Sequence, residues 1–199
     1  MNFEAARSYL VQHLQKELNP LLRYHCVEHT LDVVEAASRL ADLEKIASQD
    51  KNLLVTASLF HDAGMSIQYM DHESASVQLA WKILPEFGYQ PPEIEKIGAL
   101  IMVTKLPQQP KSHLEMIMCD ADLDYLGRDD FFINSFKLRY EWQLCNIRNT
   151  TLAEWFGIQV KFLSEHQYFT PSARTLRDNK KEMNLKEIST LCDRIRATD

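Results

Sequence analysis

A chain of 199 residues with 45% hydrophobic content carries enough apolar material for a core of ordinary domain size, which excludes an intrinsically disordered protein. Its 22 Lys and Arg against 28 Asp and Glu give a formal charge of −6, so no overall attraction draws it to nucleic acid or to an anionic membrane surface. Four cysteines, at 26, 119, 145 and 192, are too scattered for a disulfide framework or a zinc-thiolate site and read as free, mostly buried thiols.

The opening stretch, MNFEAARSYLVQHLQKEL, has a helical period, lacking the basic start and apolar stretch of a secretory signal. No apolar run is long enough to span a bilayer, and the expectation is a soluble, cytoplasmic protein with no membrane partner. NPLL at 19–22 breaks the first helix. YHCVEHT (24–30) then leads into LDVVEAASRLADL, and if that segment is helical from its start, His25 and His29 share a face. A further apolar run ends in His61–Asp62, with Gly64 fitting a helix C-terminal turn. His72 opens the next helical pattern, DHESASVQLAWKIL.

Loops follow at GYQPP (88–92), KLPQQPK (105–111) and YFTPS (168–172). Ser112 with Glu115, and Thr151 with Glu154, have capping-box spacing, and Asp129 fits the cap of the aromatic DFFINSFKLRYEW. Trp155, Phe162 and His166 share one face, as do Leu185, Ile188, Leu191 and Ile195; both stripes read as core. Arg174, Arg177, Lys180 and Lys181 form a basic run that reads as an exposed helix face, or else as a lid over an anionic substrate. No segment combines strand alternation with hairpin turns, and no repeat or linker interrupts the chain. The fold class is therefore all-α, in one domain over 1–199.

Buried imidazoles and carboxylates need partners, because leaving them unpaired costs several kcal/mol. His25, His29, His61, Asp62 and His72, with the acidic CDADLDYLG at 119–127, supply nitrogen and oxygen donors of the kind that suits first-row divalent ions. Scattered residues of these types are equally compatible with ordinary hydrogen-bonded roles.

HCVEHT, SLFHDAGM and DADLDYLG, in this order in a helical chain, resemble the HD-domain superfamily of metal-dependent phosphohydrolases, named for its His-Asp doublet. The resemblance covers about 21–127. It implies a helical HD bundle, followed over about 128–199 by additional C-terminal helices like those of uncharacterised members. It also implies that His29, His61, Asp62 and Asp122 bind one divalent metal ion (Mn, Fe, Co, Ni, Mg or Zn), with Asp120 as the rival last ligand. Asp124 is expected in a structural role. Open coordination positions would then admit water and a phosphate oxygen, so that the ion activates the nucleophile with Asp62 at the catalytic centre. His25 resembles the histidine that assists the leaving group in cyclic-nucleotide phosphodiesterases; it is either a general acid or a hydrogen-bonded surface residue.

His72 resembles the histidine that binds a second metal in binuclear relatives, but GALIMVTKLP lacks the further histidine they need, so His72 is expected to meet water or phosphate. Met65 replaces the lysine of cyclic-dinucleotide phosphodiesterases, and the late motif of stringent-response hydrolases is absent. Lys105 and Arg128 are candidate phosphate ligands, with Thr104 and His113 behind them. The expected partner is a small phosphorylated substrate, a nucleotide first; self-association into a homo-oligomer stays open. A binding or signalling module and a di-iron oxygenase are the competing classes.

Overall fold

A computed structural model describes residues 1–197. It is all-α: the described residues form nine α-helices and no strand. In chain order these are α1 (Phe3–Glu17), α2 (Val27–Leu43), α3 (Ser48–Phe60), α4 (His72–Ile83), α5 (Pro91–Met102), α6 (His113–Asp122), α7 (Phe131–Leu144), α8 (Leu152–Glu165) and α9 (Pro171–Arg196). Three-ten turns at Ala63–Ser66, Leu84–Phe87 and Asp124–Gly127 extend three of the helix ends. No helix of the described residues is long and apolar enough to cross a membrane. The chain divides into two compact units, one of Met1–Pro20 with His25–Asp122, the other of Leu21–Tyr24 with the residues from Leu123 onward.

The first unit is built around α3. Every residue from Leu53 to Phe60 is buried, so the last two turns of this helix have no solvent face, and it contacts α1, α2, α4, α5 and α6. Full burial of each large apolar side chain in it contributes about 1.5–3 kcal/mol. Thr56 and Ser58 are tolerated there because their hydroxyls donate to the carbonyls of Asn52 (2.7 Å) and Leu54 (2.9 Å), one turn back. Helix α2 buries Val33, Ala36, Ala37, Leu40 and Ala41, the spacing of one helix face, and three alanines in that face let it lie close to α3. His29 lies one turn before Val33 on the same face. α5 starts at a capping box that pairs Gln90 with Glu93, which the loop-like GYQPP had concealed.

In the second unit, α8 and α9 pack together and Trp155 is fully buried, its indole N–H donating to Ser135 Oγ at 3.1 Å. The Thr151–Glu154 box caps α8 as expected. Asp129, by contrast, does not cap α7: Asp130 holds the N-cap position, but its carboxylate is drawn to Arg128, while Asp129 pairs with Lys180. The basic run of α9 is not a free solvated face either. Arg177 grips the buried Asp124 through two bonds (2.8 and 2.9 Å), Arg174 donates to the Tyr168 carbonyl (2.7 Å), and Lys181 donates to that of His166 (2.5 Å). A side chain at Gly127 would put its Cβ 2.5 Å from the Arg177 carbonyl oxygen, so glycine is what allows this approach.

Glu141 is the most deeply placed charge of this unit, fully buried in the aromatic α7. One of its oxygens accepts the backbone N–H groups of both Arg23 and Tyr24, each at 2.8 Å. Removing that acceptor strands two amides, and hydrogen bonds to a charged group are worth about 1.5–3 kcal/mol each. Glu141→Ala is therefore expected to destabilise the protein by about 3 kcal/mol in urea denaturation; a loss below about 1 kcal/mol would contradict this account.

Candidate metal centre

Because the last two turns of α3 are buried on all sides, the doublet that follows them begins inside the first unit. His61 is 1% exposed and Asp62 7%. The His61 Nδ1–H donates to the Ser58 carbonyl at 2.7 Å, which fixes the ring and turns Nε2 to the centre, a lone pair when the imidazole is neutral and an N–H when it is protonated. That Nε2 is buried without a hydrogen-bond partner among the described residues, although Asp62 Oδ2 and Asp122 Oδ1 lie 3.1 and 3.4 Å away. His29 Nε2 approaches the same two oxygens at 3.4 and 3.7 Å. Ligand atoms of His29, His61 and Asp122 all lie within 4.8 Å of one another, and Asp62 reaches both imidazoles through Oδ2. Two imidazole nitrogens and two carboxylates thus aim at shared space, and this donor set fits a first-row divalent ion.

The turn Ala63–Ser66 carries the chain from the doublet to α4. Ser76 Oγ bridges it, donating to the His61 carbonyl and accepting from the Gly64 N–H, both at 2.7 Å. A Cβ at Gly64 would lie 2.0 Å from the His72 carbonyl oxygen and 2.6 Å from Ser76 N. Glycine is needed there for close backbone approach, not for the helix C-terminal turn that the sequence suggests. His72, first residue of α4, directs Nδ1 to the Tyr69 carbonyl (3.0 Å) and Nε2 to Asp62 Oδ1 (3.3 Å) and Glu73 Oε1 (3.6 Å). Asp62 therefore offers one oxygen to His29 and His61 and the other to His72.

His25 precedes α2, which starts only at Val27, so the shared helix face expected for His25 and His29 is not formed. Its ring nevertheless lies 6.3 Å from that of His29, 5.7 Å from His72 and 5.8 Å from Tyr69, centroid to centroid. Asp120 is fully buried, two residues and about 200° around α6 from Asp122, which is the one that faces the imidazoles. Lys105, exposed, pairs with Asp71. Arg128 belongs to the second unit, where Asp130 takes its fork at 2.9 and 2.7 Å and Asp124 approaches at 3.5 Å. Thr104 donates to the Ile101 carbonyl, and His113 meets Glu44 at the surface. Glu73, Tyr69, Ser58, Ser76 and Gln108, whose amide donates to Asp122 Oδ2 at 3.4 Å, are the neighbours that sequence reasoning missed.

Burial works against every charged form here, but pairing prevails. Asp62 and Asp122 hold the His61 imidazole well above its ordinary value and raise His29 as well, and Asp62 and Glu73 raise His72. Conversely, His61, His29 and His72 keep Asp62 well below the usual carboxylate range, and His29 and His61 lower Asp122.

Helices that bring His29, His61 and Asp122 to one point form a group that could hold a metal ion. Residues 26–124 match the HD domain family, and the chain belongs to the HD-domain superfamily. An uncharacterised protein of Clostridium beijerinckii is 33% identical over 92 residues, a match covering 45% of this chain and 58% of that protein. Among solved structures, the fold is similar to that of Bacillus subtilis YpgQ in complex with ADP (TM-score 0.67, 17% identity, all of both chains covered). It is also similar to a predicted HD superfamily hydrolase from an uncultured Thermotogales bacterium (TM-score 0.60, 18% identity, 98% of this chain and 91% of that one).

These shifts give the metal-free protein a defined pH response. Raised histidines add stability that is complete below about pH 6.5 and lost as pH climbs through their folded values; lowered aspartates add stability present above about pH 4 and lost in stronger acid. Urea denaturation in the presence of chelator should show higher stability near pH 6 than near pH 9. Saturating Mn2+ should recover stability on the alkaline side, because the ion replaces protons on the same nitrogens. A flat profile under chelator would contradict the pairing described.

Proposed function

We propose that this protein is a metal-dependent phosphohydrolase that cleaves a small phosphate ester, with a nucleotide as the substrate class. The observation that carries the reading is the buried, unpartnered His61 Nε2 facing two carboxylate oxygens and the His29 ring. The ADP bound by YpgQ, a protein of similar fold, supports the nucleotide class.

In this reading His29, His61, Asp62 and Asp122 hold one divalent ion. When bound, the ion stabilises charge on the phosphoryl oxygens and makes a water acidic enough to attack at neutral pH. Asp62 orients the centre through its two oxygens, one toward the paired imidazoles and one toward His72. His72, fixed by the Tyr69 carbonyl, has Nε2 beside Asp62 and Glu73, from where it would meet water or phosphate at the centre, and His25 beside it would supply a proton to the departing oxygen. Lys105, Arg128 and His72 would each have to exchange a carboxylate partner for phosphate.

Protein reloaded with Mn2+, Co2+, Ni2+, Fe2+, Mg2+ or Zn2+ should hydrolyse some member of a nucleotide panel, and His61→Ala or Asp62→Ala should reduce the rate to background. Turnover that survives both substitutions would exclude the proposed centre. His25→Ala should bind the metal as wild type does while kcat falls by about 10²-fold or more. An unchanged kcat would remove His25 from the reaction.

A further inference from the structure

The loop after α5 is exposed from Lys105 to Gln109 with one exception. Gln108 is half-buried, and its amide donates to Asp122 Oδ2 at 3.4 Å. The other oxygen of the same carboxylate, Oδ1, faces His29 Nε2 and His61 Nε2. Each oxygen of Asp122 therefore has separate neighbours, and a long hydrogen bond from a residue outside the cluster restrains the carboxylate. Pro107 and Pro110 flank Gln108 and restrict the backbone on either side of it. Lys105 ties the same loop to Asp71, the residue before His72, so the loop is fastened at a second point next to the centre.

We infer that Gln108 is a positioning residue for the metal centre, holding Oδ2 of Asp122 so that Oδ1 alone is offered to the ion. This rests on the metal-centre reading above. A ligating carboxylate that can swing between one-oxygen and two-oxygen binding, or turn toward solvent, is a poorer ligand than one locked by a neighbour, and such outer partners typically account for 10–100-fold in metal affinity. The amide suits the task because it donates without adding charge, whereas a lysine there would compete with the ion for the carboxylate.

The test is Mn2+ binding to metal-free protein, read from the electron paramagnetic resonance signal of free Mn2+, with no substrate present. Gln108→Ala and Gln108→Met, the second of which keeps the side-chain volume and loses the donor, should each weaken Mn2+ binding about tenfold or more. Gln109→Ala, at the exposed neighbour, should leave affinity within about twofold of wild type, well short of that loss. Wild-type affinity in Gln108→Met overturns the assignment, as does equal weakening in Gln109→Ala, which would trace the effect to the loop rather than to the donor. Wild-type protein that takes up no Mn2+ overturns the metal centre itself and the role of Gln108 with it, an outcome distinct from the other two.

Discussion

The two last turns of α3, which have no solvent face, are the constraint on which the rest depends. Leu53 to Phe60 are buried throughout, so the residues that follow the last turn of α3 have nowhere to emerge but among other side chains. That geometry forces His61 and Asp62 into a region where an isolated ionised group costs several kcal/mol even after the protein relaxes. The cost is offset by assembly: α2 brings His29, α4 brings His72 and α6 brings Asp122, so that carboxylates and imidazoles neutralise one another. The compensation is incomplete at one atom, His61 Nε2, whose neighbours surround it without bonding it. A cation would supply what that atom and its neighbours lack, and for that reason the packing of an apolar helix and the chemistry of the site are a single problem.

Positions around the centre are set mostly by backbone groups, which move less than side chains. Carbonyls of Ser58 and Tyr69 fix the rings of His61 and His72, and Ser76 clamps the turn between them. Gly64 is part of the same arrangement, since any side chain there would push α4 away from the doublet. The imidazoles are thereby oriented before any ion arrives, a precondition for tight binding and for catalysis at a defined geometry. Proton and ion compete for the same nitrogens, so the interactions that stabilise the metal-free form in mild acid are those that a bound ion replaces.

The helical class and the capping boxes at Ser112 and Thr151 follow from patterns visible along the chain, whereas the meeting of His29 and His61 with Asp122 is implied only by the resemblance to HD proteins. What could not be read there depends on contacts across long separations or on a helix boundary. Glu141 serves amides 118 and 117 residues away, and nothing in LRYEWQL marks it as anything other than a surface charge. Gln108 sits in a proline-bracketed loop whose composition says only that it is a loop. His25 was legible as a neighbour of His29 but not as a residue outside the helix, because Cys26 holds the N-cap position in an extended conformation with no side-chain cap to announce it. The basic run of α9 has the composition of a solvated face, and only the fold reveals that Arg177 answers the buried Asp124.

The acidic segment DADLD shows how helix phase divides identical residues among unlike tasks. Asp120 and Asp122 both lie on α6, but successive helix positions turn by about 100°, so two residues apart they point in nearly opposite directions. Asp120 is swallowed by the core while Asp122 faces the imidazoles. Two positions later the chain has left the α-helix for a three-ten turn, and Asp124 is held by the fork of Arg177. An aspartate paired with a guanidinium at two points has its lone pairs occupied and its charge cancelled, and so makes a structural tie. An aspartate whose inward oxygen meets only imidazole nitrogens, and whose outward oxygen is held by an uncharged amide, keeps its charge available. Of the three, Asp122 alone meets that condition, and its availability follows from what surrounds it rather than from what it is.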